Sequence, residues 1–120
     1  MKKAILAVVG LACVPAFAAV PFKIGMAGYT MHKKTVDETV AAMKTLDLHH
    51  LCVKDFHLKL DCTQAEADAF KAKLAAAGIV PVGVGPIYAD TEAQARKGFE
   101  QAKKLGVKVV VGVPFELREI

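Results

Sequence analysis

The residues best suited to chemistry lie in one short stretch, Lys54-Asp-Phe-His57, which belongs to a mostly apolar segment. A lysine among apolar residues is costly to bury unless it serves a partner, and Asp55 could simply be that partner. His57 could bind a substrate or a metal, or be hydrogen-bonded within a loop. Tyr88, which ends another apolar run, could contact a substrate or pack in a loop. Lys54, His57 and Tyr88 are therefore the candidate substrate-binding residues, and no catalytic residue or metal ligand is assigned.

Other motifs are weak. The chain has no G-x-S-x-G, no P-loop and no H-E-x-x-H sequence. Gly83-Val-Gly85 lacks the third glycine of a dinucleotide-binding loop and is followed by proline. His49, His50 and Cys52 are residue types that bind metals. They are not assigned as a metal site, because they lie at the entry end of a strand, away from the other candidates.

Residues 79–88 predict a buried strand around which the chain is organised. They include no polar side chain before Tyr88. Both faces of such a strand should be covered, as in a parallel sheet under helices.

A strict repeat surrounds this strand. Thr35, Thr63 and Thr91 are each 28 residues apart, and each begins a pattern typical of a capped helix. Strands are predicted at residues 22–29, 50–57, 79–88 and 107–114. The residues predicted to be buried on the three helices are Val36, Val40, Met43, Leu46, Ala67, Phe70, Leu74, Ala77, Ala95, Phe99, Ala102 and Leu105.

The predicted fold class is α/β, a parallel (β/α) repeat of four strands and three helices. A complete (β/α)8 (TIM) barrel takes about 250 residues, so this is about half of one. The inner face of such a half-barrel would be apolar and uncovered. We therefore favour the interpretation that the sequence is a fragment, and the alternative is that two copies close a barrel. The reactive side of a barrel is the carboxyl end of its strands. The candidates there are Gly28, Tyr29, His32, Lys54, Asp55, His57, Gly85, Pro86, Tyr88, Pro114 and Glu116.

The first 18 residues predict a secretory signal peptide. Two lysines precede an apolar run, and Ala16-Phe-Ala18 has the small-x-small form of a cleavage site. We therefore expect an exported protein, periplasmic or secreted, whose domain spans residues 19–120. Without the first two lysines the formal charge falls from +4 to +2, and no basic stripe indicates nucleic-acid or membrane binding. Cys52 and Cys62 are predicted to stay as buried free thiols.

The order of strands and helices, together with three sequence segments, resembles the sugar phosphate isomerases/epimerases of the xylose isomerase-like TIM-barrel superfamily. The segments are Lys54-Asp-Phe-His-Leu58, Gly78-Ile-Val-Pro-Val-Gly-Val-Gly-Pro-Ile-Tyr88 and Leu105-Gly-Val-Lys-Val-Val-Val-Gly-Val-Pro114. The resemblance covers nearly all of residues 19–120. One departure is Asp47, where the family usually has the glycine that closes the first helix.

The resemblance implies metal-assisted proton transfer on a sugar, with Mn, Mg or Zn as the divalent metal. In that family most metal ligands come from later strands, so we expect no cofactor and no isomerase activity for this chain alone. The implied partner is a sugar or sugar derivative, and only Lys54, His57 and Tyr88 are carried over as residues lining its pocket.

Two functions remain open at this point. The first is the N-terminal part of an exported sugar isomerase or epimerase, which predicts a reading frame that continues beyond Ile120. The alternative is a non-catalytic carbohydrate-binding or half-barrel assembly module, which predicts a stable homodimer.

Overall fold

The structure is a computed structural model that describes residues 22–113. The predicted signal peptide, Pro114 and Glu116 lie outside these residues. The chain alternates strands and helices, with one short 3-10 helix after the first strand. In chain order the elements are β1 Met26–Ala27, the 3-10 helix Gly28–Met31, α1 Val36–Thr45, β2 His50–Val53, α2 Gln64–Ala76, β3 Val80–Tyr88, α3 Glu92–Leu105 and β4 Val110–Val113.

The sheet confirms the predicted fold class. Its four strands are all parallel and lie in the order β1-β2-β3-β4. Strand connections of this kind are right-handed, so an order that never reverses places all three helices on one face. This arrangement is that of half a β/α barrel rather than of a doubly wound open sheet, in which the strand order reverses.

The capping boxes predicted for the first two helices are present. The Thr35 hydroxyl accepts a hydrogen bond from the Glu38 backbone N–H, and the Glu38 carboxylate accepts one from the Thr35 N–H. Thr63 and Glu66 repeat this arrangement at α2. The backbone N–H of each threonine is the main reason why the pKa values of Glu38 and Glu66 lie below the ordinary 4.5.

The third helix begins differently. Thr91 caps the Gln94 backbone N–H, but the Gln94 side chain accepts its hydrogen bond from the Asp90 N–H, one residue before the cap. The reciprocal half of the box is therefore displaced by one residue.

The core confirms most of the predicted helix stripes and corrects two positions. Met43, Phe70 and Leu74 are buried as predicted. Leu46 is 60% exposed because it caps the end of α1, and Phe99 is 62% exposed. Phe99 lines a groove of about 170 Å³ between α3 and β4 whose lining residues are all apolar.

Two predicted strands end earlier than expected. The first strand begins at Met26, four residues later than predicted, and ends at Ala27 because the chain enters the 3-10 helix at Gly28. The second ends at Val53, where the carbonyl of Lys54 accepts backbone hydrogen bonds from the N–H groups of His57 and Leu58. Lys54 therefore begins a turn directly after β2.

One face of the sheet is covered and the other is not. Val53 and Val84 are fully buried on the helix side. Valines on the opposite face remain 41–54% exposed in the described part of the chain. The prediction that both faces of β3 are covered is therefore wrong there, whereas the uncovered apolar inner face expected of half a barrel is present. These valines, which we call the inner-face valines, are Val80, Val82, Val109 and Val111. Val80 and Val84 can lie on opposite faces although they are four residues apart, because β3 gains one residue against β2 between Pro81 and Gly83.

Cys52 and Cys62 are free thiols, as predicted, although Cys52 is only half-buried. Burial raises the pKa of both thiols. None of the helices among residues 22–113 is both long enough and apolar enough to cross a membrane.

The turn after β2 is tied to α3 by buried polar contacts. Gln101 is 1% exposed, and its side-chain amide donates hydrogen bonds to the carbonyls of Leu58 and Lys59. The Lys104 ammonium donates to the Cys62 carbonyl at 2.6 Å. These contacts fix the segment that follows the Lys54 turn.

Replacement of Gln101 by Ala should lower the free energy of unfolding by about 2–3 kcal/mol. The change opens a cavity and leaves the buried carbonyl of Leu58 and the part-buried carbonyl of Lys59 without their donor. Denaturant unfolding would measure this loss. Lys103→Ala, on the exposed side of the same helix, should cost less than about 0.5 kcal/mol, and an equal loss in both variants would contradict the assigned role of Gln101.

Candidate functional site

Lys54 is a buried cation at the carboxyl end of β2. The residue is 5% exposed, and its ammonium lies 2.7 Å from a carboxylate oxygen of Asp55. The Asp55 side chain is 40% exposed. The pair thus compensates the buried charge and presents its carboxylate to the surface, which agrees with the partner role considered for Asp55.

Three aromatic rings surround the same ammonium. Lys54 Nζ lies 5.9 Å from the ring centroids of Tyr29, Phe56 and Tyr88. A cation at this distance from a ring face is attracted by the ring quadrupole. The three residues remain 41–52% exposed, so part of each ring is available to a ligand. We call Lys54, Asp55 and these three rings the lysine cradle.

The cradle joins three different strand ends. Tyr29 lies in the 3-10 helix after β1, Phe56 in the turn after β2, and Tyr88 at the end of β3. Gly28 allows the first of these elements to approach, because a Cβ atom at this position would lie 2.7 Å from the Cys52 carbonyl oxygen. Carboxyl ends of adjacent parallel strands are where barrel enzymes place their active sites.

His57 makes its hydrogen bonds outside the lysine cradle. Its Nε2 donates to the Lys34 carbonyl at 3.2 Å and lies 3.1 Å from the Thr39 hydroxyl. Its ring meets Phe56 edge to face, with centroids 4.5 Å apart. Of the three predicted substrate-binding residues, the structure brings Lys54 and Tyr88 together, whereas His57 lies behind Phe56 and ties the turn to α1.

His32 adds a fourth ring at the edge of the cradle. Its centroid lies 6.3 Å from that of Tyr29 and 5.7 Å from that of Phe56. Beside Phe56, a wide, shallow groove is lined by charged side chains of both signs, namely Asp55, Lys59, Asp61 and Lys97.

The residues at the entry end of β2 have other partners. His49 contacts the Asp47 carboxylate and the Gly78 carbonyl, and the Cys52 thiol donates to the Gly85 carbonyl at 3.7 Å. Among residues 22–113 no group of three His, Cys, Asp or Glu side chains is placed to hold a metal ion.

Phe56 and Thr39 were not predicted as functional residues from the sequence. Phe56 lay inside the Lys54 motif, and its position directly after a strand was the available signal. Thr39 is a buried polar residue of α1, 1% exposed, whose hydroxyl donates to the Thr35 carbonyl and meets His57. Its place between Val36 and Val40 gave no sign of a partner 18 residues away.

No protein-family model matches the chain, and a search of curated proteins finds no significant match.

The pKa of His57 is lowered from its ordinary 6.5, mainly because burial disfavours the charged ring, while the carbonyls of Lys34 and Met31 act in the opposite direction. The unfolded chain therefore binds a proton near pH 6.5 that the folded chain binds only at lower pH. The contribution of His57 to the free energy of unfolding should be fully present above pH 6.5. It should decline as the pH falls from 6.5 to the folded-state pKa of His57.

His57→Gln should remove the part of the decline in folding stability that comes from protonation of His57. Denaturant unfolding of both proteins between pH 5 and pH 8 would measure it, and the difference above pH 7.5 would give the structural cost of the substitution separately. If the free energy of unfolding fell equally steeply from pH 7 to pH 5 in both proteins, the role of a half-buried neutral His57 would be contradicted.

Proposed function

We propose that this chain forms the sugar-binding first half of an exported sugar isomerase or epimerase barrel. The observation that carries the proposal is the lysine cradle at the carboxyl ends of β1, β2 and β3. Its exposed ring faces suit the C–H faces of a sugar, while the Asp55 carboxylate can accept hydrogen bonds from hydroxyl groups. A few polar groups among aromatic side chains are typical of small-molecule sites.

The part of the reaction assigned to the described residues is binding and orientation. The resemblance to sugar phosphate isomerases/epimerases supplies the reaction class, in which a proton moves between neighbouring carbons of the sugar. The described residues do not provide the ligand set of a divalent metal, so no step of the reaction is assigned to a metal held by them. Export follows from the signal peptide predicted at residues 1–18.

Sugar binding can be measured through the tyrosine fluorescence of the protein itself. The chain contains two tyrosines and no tryptophan, and both tyrosines belong to the lysine cradle. Titration of the full chain with free sugars should therefore give a saturable change in tyrosine emission for at least one of them. Lys54→Met should weaken that binding about ten-fold, because Asp55 loses the charged partner that holds its carboxylate in place.

The matched control is Lys73→Met, because the Lys73 ammonium also lies 2.7 Å from a carboxylate, that of Asp37. It should bind within about two-fold of the wild-type affinity, and circular dichroism of both variants would check the fold. No saturable response to any sugar, or equal affinities in Lys54→Met and wild type, would contradict the proposal.

The inner-face valines favour a second candidate, a half-barrel that assembles with another copy. An exposed patch of β-branched side chains on a sheet is typical of an interaction surface, and a two-fold axis along the barrel would join β4 of one copy to β1 of the other. In this candidate the cradle binds a carbohydrate without transforming it.

The assembly candidate predicts that the chain is a dimer at micromolar concentration by light scattering. Val82→Lys combined with Val111→Lys should shift it to a monomer, since two lysines would be buried at the interface. Leu46→Lys, at the exposed leucine that follows α1, should leave the dimer intact. A wild-type chain that is monomeric throughout would contradict assembly, as would a dimer that resists the double substitution.

A further inference from the structure

The charge that an incoming ligand meets at the lysine cradle is negative. The Lys54 side chain is 7% exposed and its ammonium is already paired, whereas the Asp55 side chain is 40% exposed. The cation therefore lies beneath the site, and the carboxylate lies at its surface. A second anion that reached Lys54 would lie close to the Asp55 carboxylate, which is already 2.7 Å from the ammonium.

Two of the usual places for a phosphate beside a barrel site are also occupied. Phosphate groups bind at helix N-termini because backbone N–H groups there are free to donate. At α1 the Glu38 carboxylate already accepts the Thr35 N–H at 2.8 Å, and at α2 the Glu66 carboxylate accepts the Thr63 N–H at 2.7 Å. Both helix ends hold their own anion.

The neighbouring groove carries charges of both signs, and one of its carboxylates, Asp55, already compensates Lys54. Its two lysines, Lys59 and Lys97, share the lining with two carboxylates, Asp55 and Asp61. A carboxylate therefore already lies beside the buried cation of the cradle and at the N-terminal ends of α1 and α2.

We propose that Asp55 is the specificity-determining residue of the cradle and selects uncharged sugars over their phosphate esters. This inference rests on the proposed sugar-binding function and names its substrate class. Like charges held close together disfavour binding, and an unpaired lysine at the same place favours it. Removal of the Asp55 charge should therefore turn the cradle from one that rejects phosphate into one that accepts it.

The experiment titrates the full chain with three matched pairs, glucose, fructose and ribose and the monophosphate of each, and follows tyrosine emission. For the sugar that binds best, the wild type should favour the free form at least about ten-fold over its phosphate. Asp55→Asn should tighten phosphate binding about ten-fold and so remove that preference. Asp37→Asn, which breaks the equally short ion pair with Lys73, should keep the wild-type ratio.

A second measurement needs no variant. Inorganic phosphate at millimolar concentration should leave the free sugar bound to the wild-type chain, and displacement would overturn the proposal. Equal wild-type affinity for both members of a pair would also overturn it, as would an unchanged ratio in Asp55→Asn, while sugar binding itself would stand. Absence of binding by all six compounds would remove the proposed function and this inference together.

Discussion

The charge of Lys54 is the constraint on which the carboxyl edge of the sheet depends. A lysine that is 5% exposed needs compensation, which Asp55 provides through a contact of 2.7 Å and three rings provide at 5.9 Å. Those rings come from three successive strand ends, so compensating one charge draws β1, β2 and β3 to a common place. His57 supports the arrangement from behind, because it packs on Phe56 and is hydrogen-bonded toward α1. The arrangement that buries a cation also exposes aromatic faces and a carboxylate.

The parallel sheet sets the second constraint, which is that its inner face needs a cover. Helices on one face bury Val53 and Val84 and leave the inner-face valines exposed. In a closed barrel this face is a packed core. Both candidate functions require that it be covered, either by further strands of the same protein or by another copy. The sugar-binding proposal depends on residues at the strand ends and is compatible with either.

Much of the fold could be predicted because the sequence repeats every 28 residues. Thr35, Thr63 and Thr91 each cap a helix, and the strand order follows from the alternation. Strand ends and exposure were less predictable: β2 stops at Val53 because Lys54 enters a turn, and Phe99 is exposed beside a groove that periodicity cannot show. At the site, Lys54 and Tyr88 were found from their places at strand ends. The direction of His57 and its contact with Thr39 arise from tertiary packing across 18 residues, which spacing along the chain does not reveal.

The central claim is that the lysine cradle is the ligand site, rather than the apolar groove between α3 and β4 or the shallow charged groove beside Phe56. The most direct measurement is the set of backbone amide shifts of the ¹⁵N-labelled full chain on addition of the free sugar that binds best. The account predicts saturable shifts at Tyr29, Lys54, Asp55 and Tyr88. Saturable shifts confined to the groove residues Ala95, Phe99 and Val110 would contradict it, and so would the absence of any saturable shift.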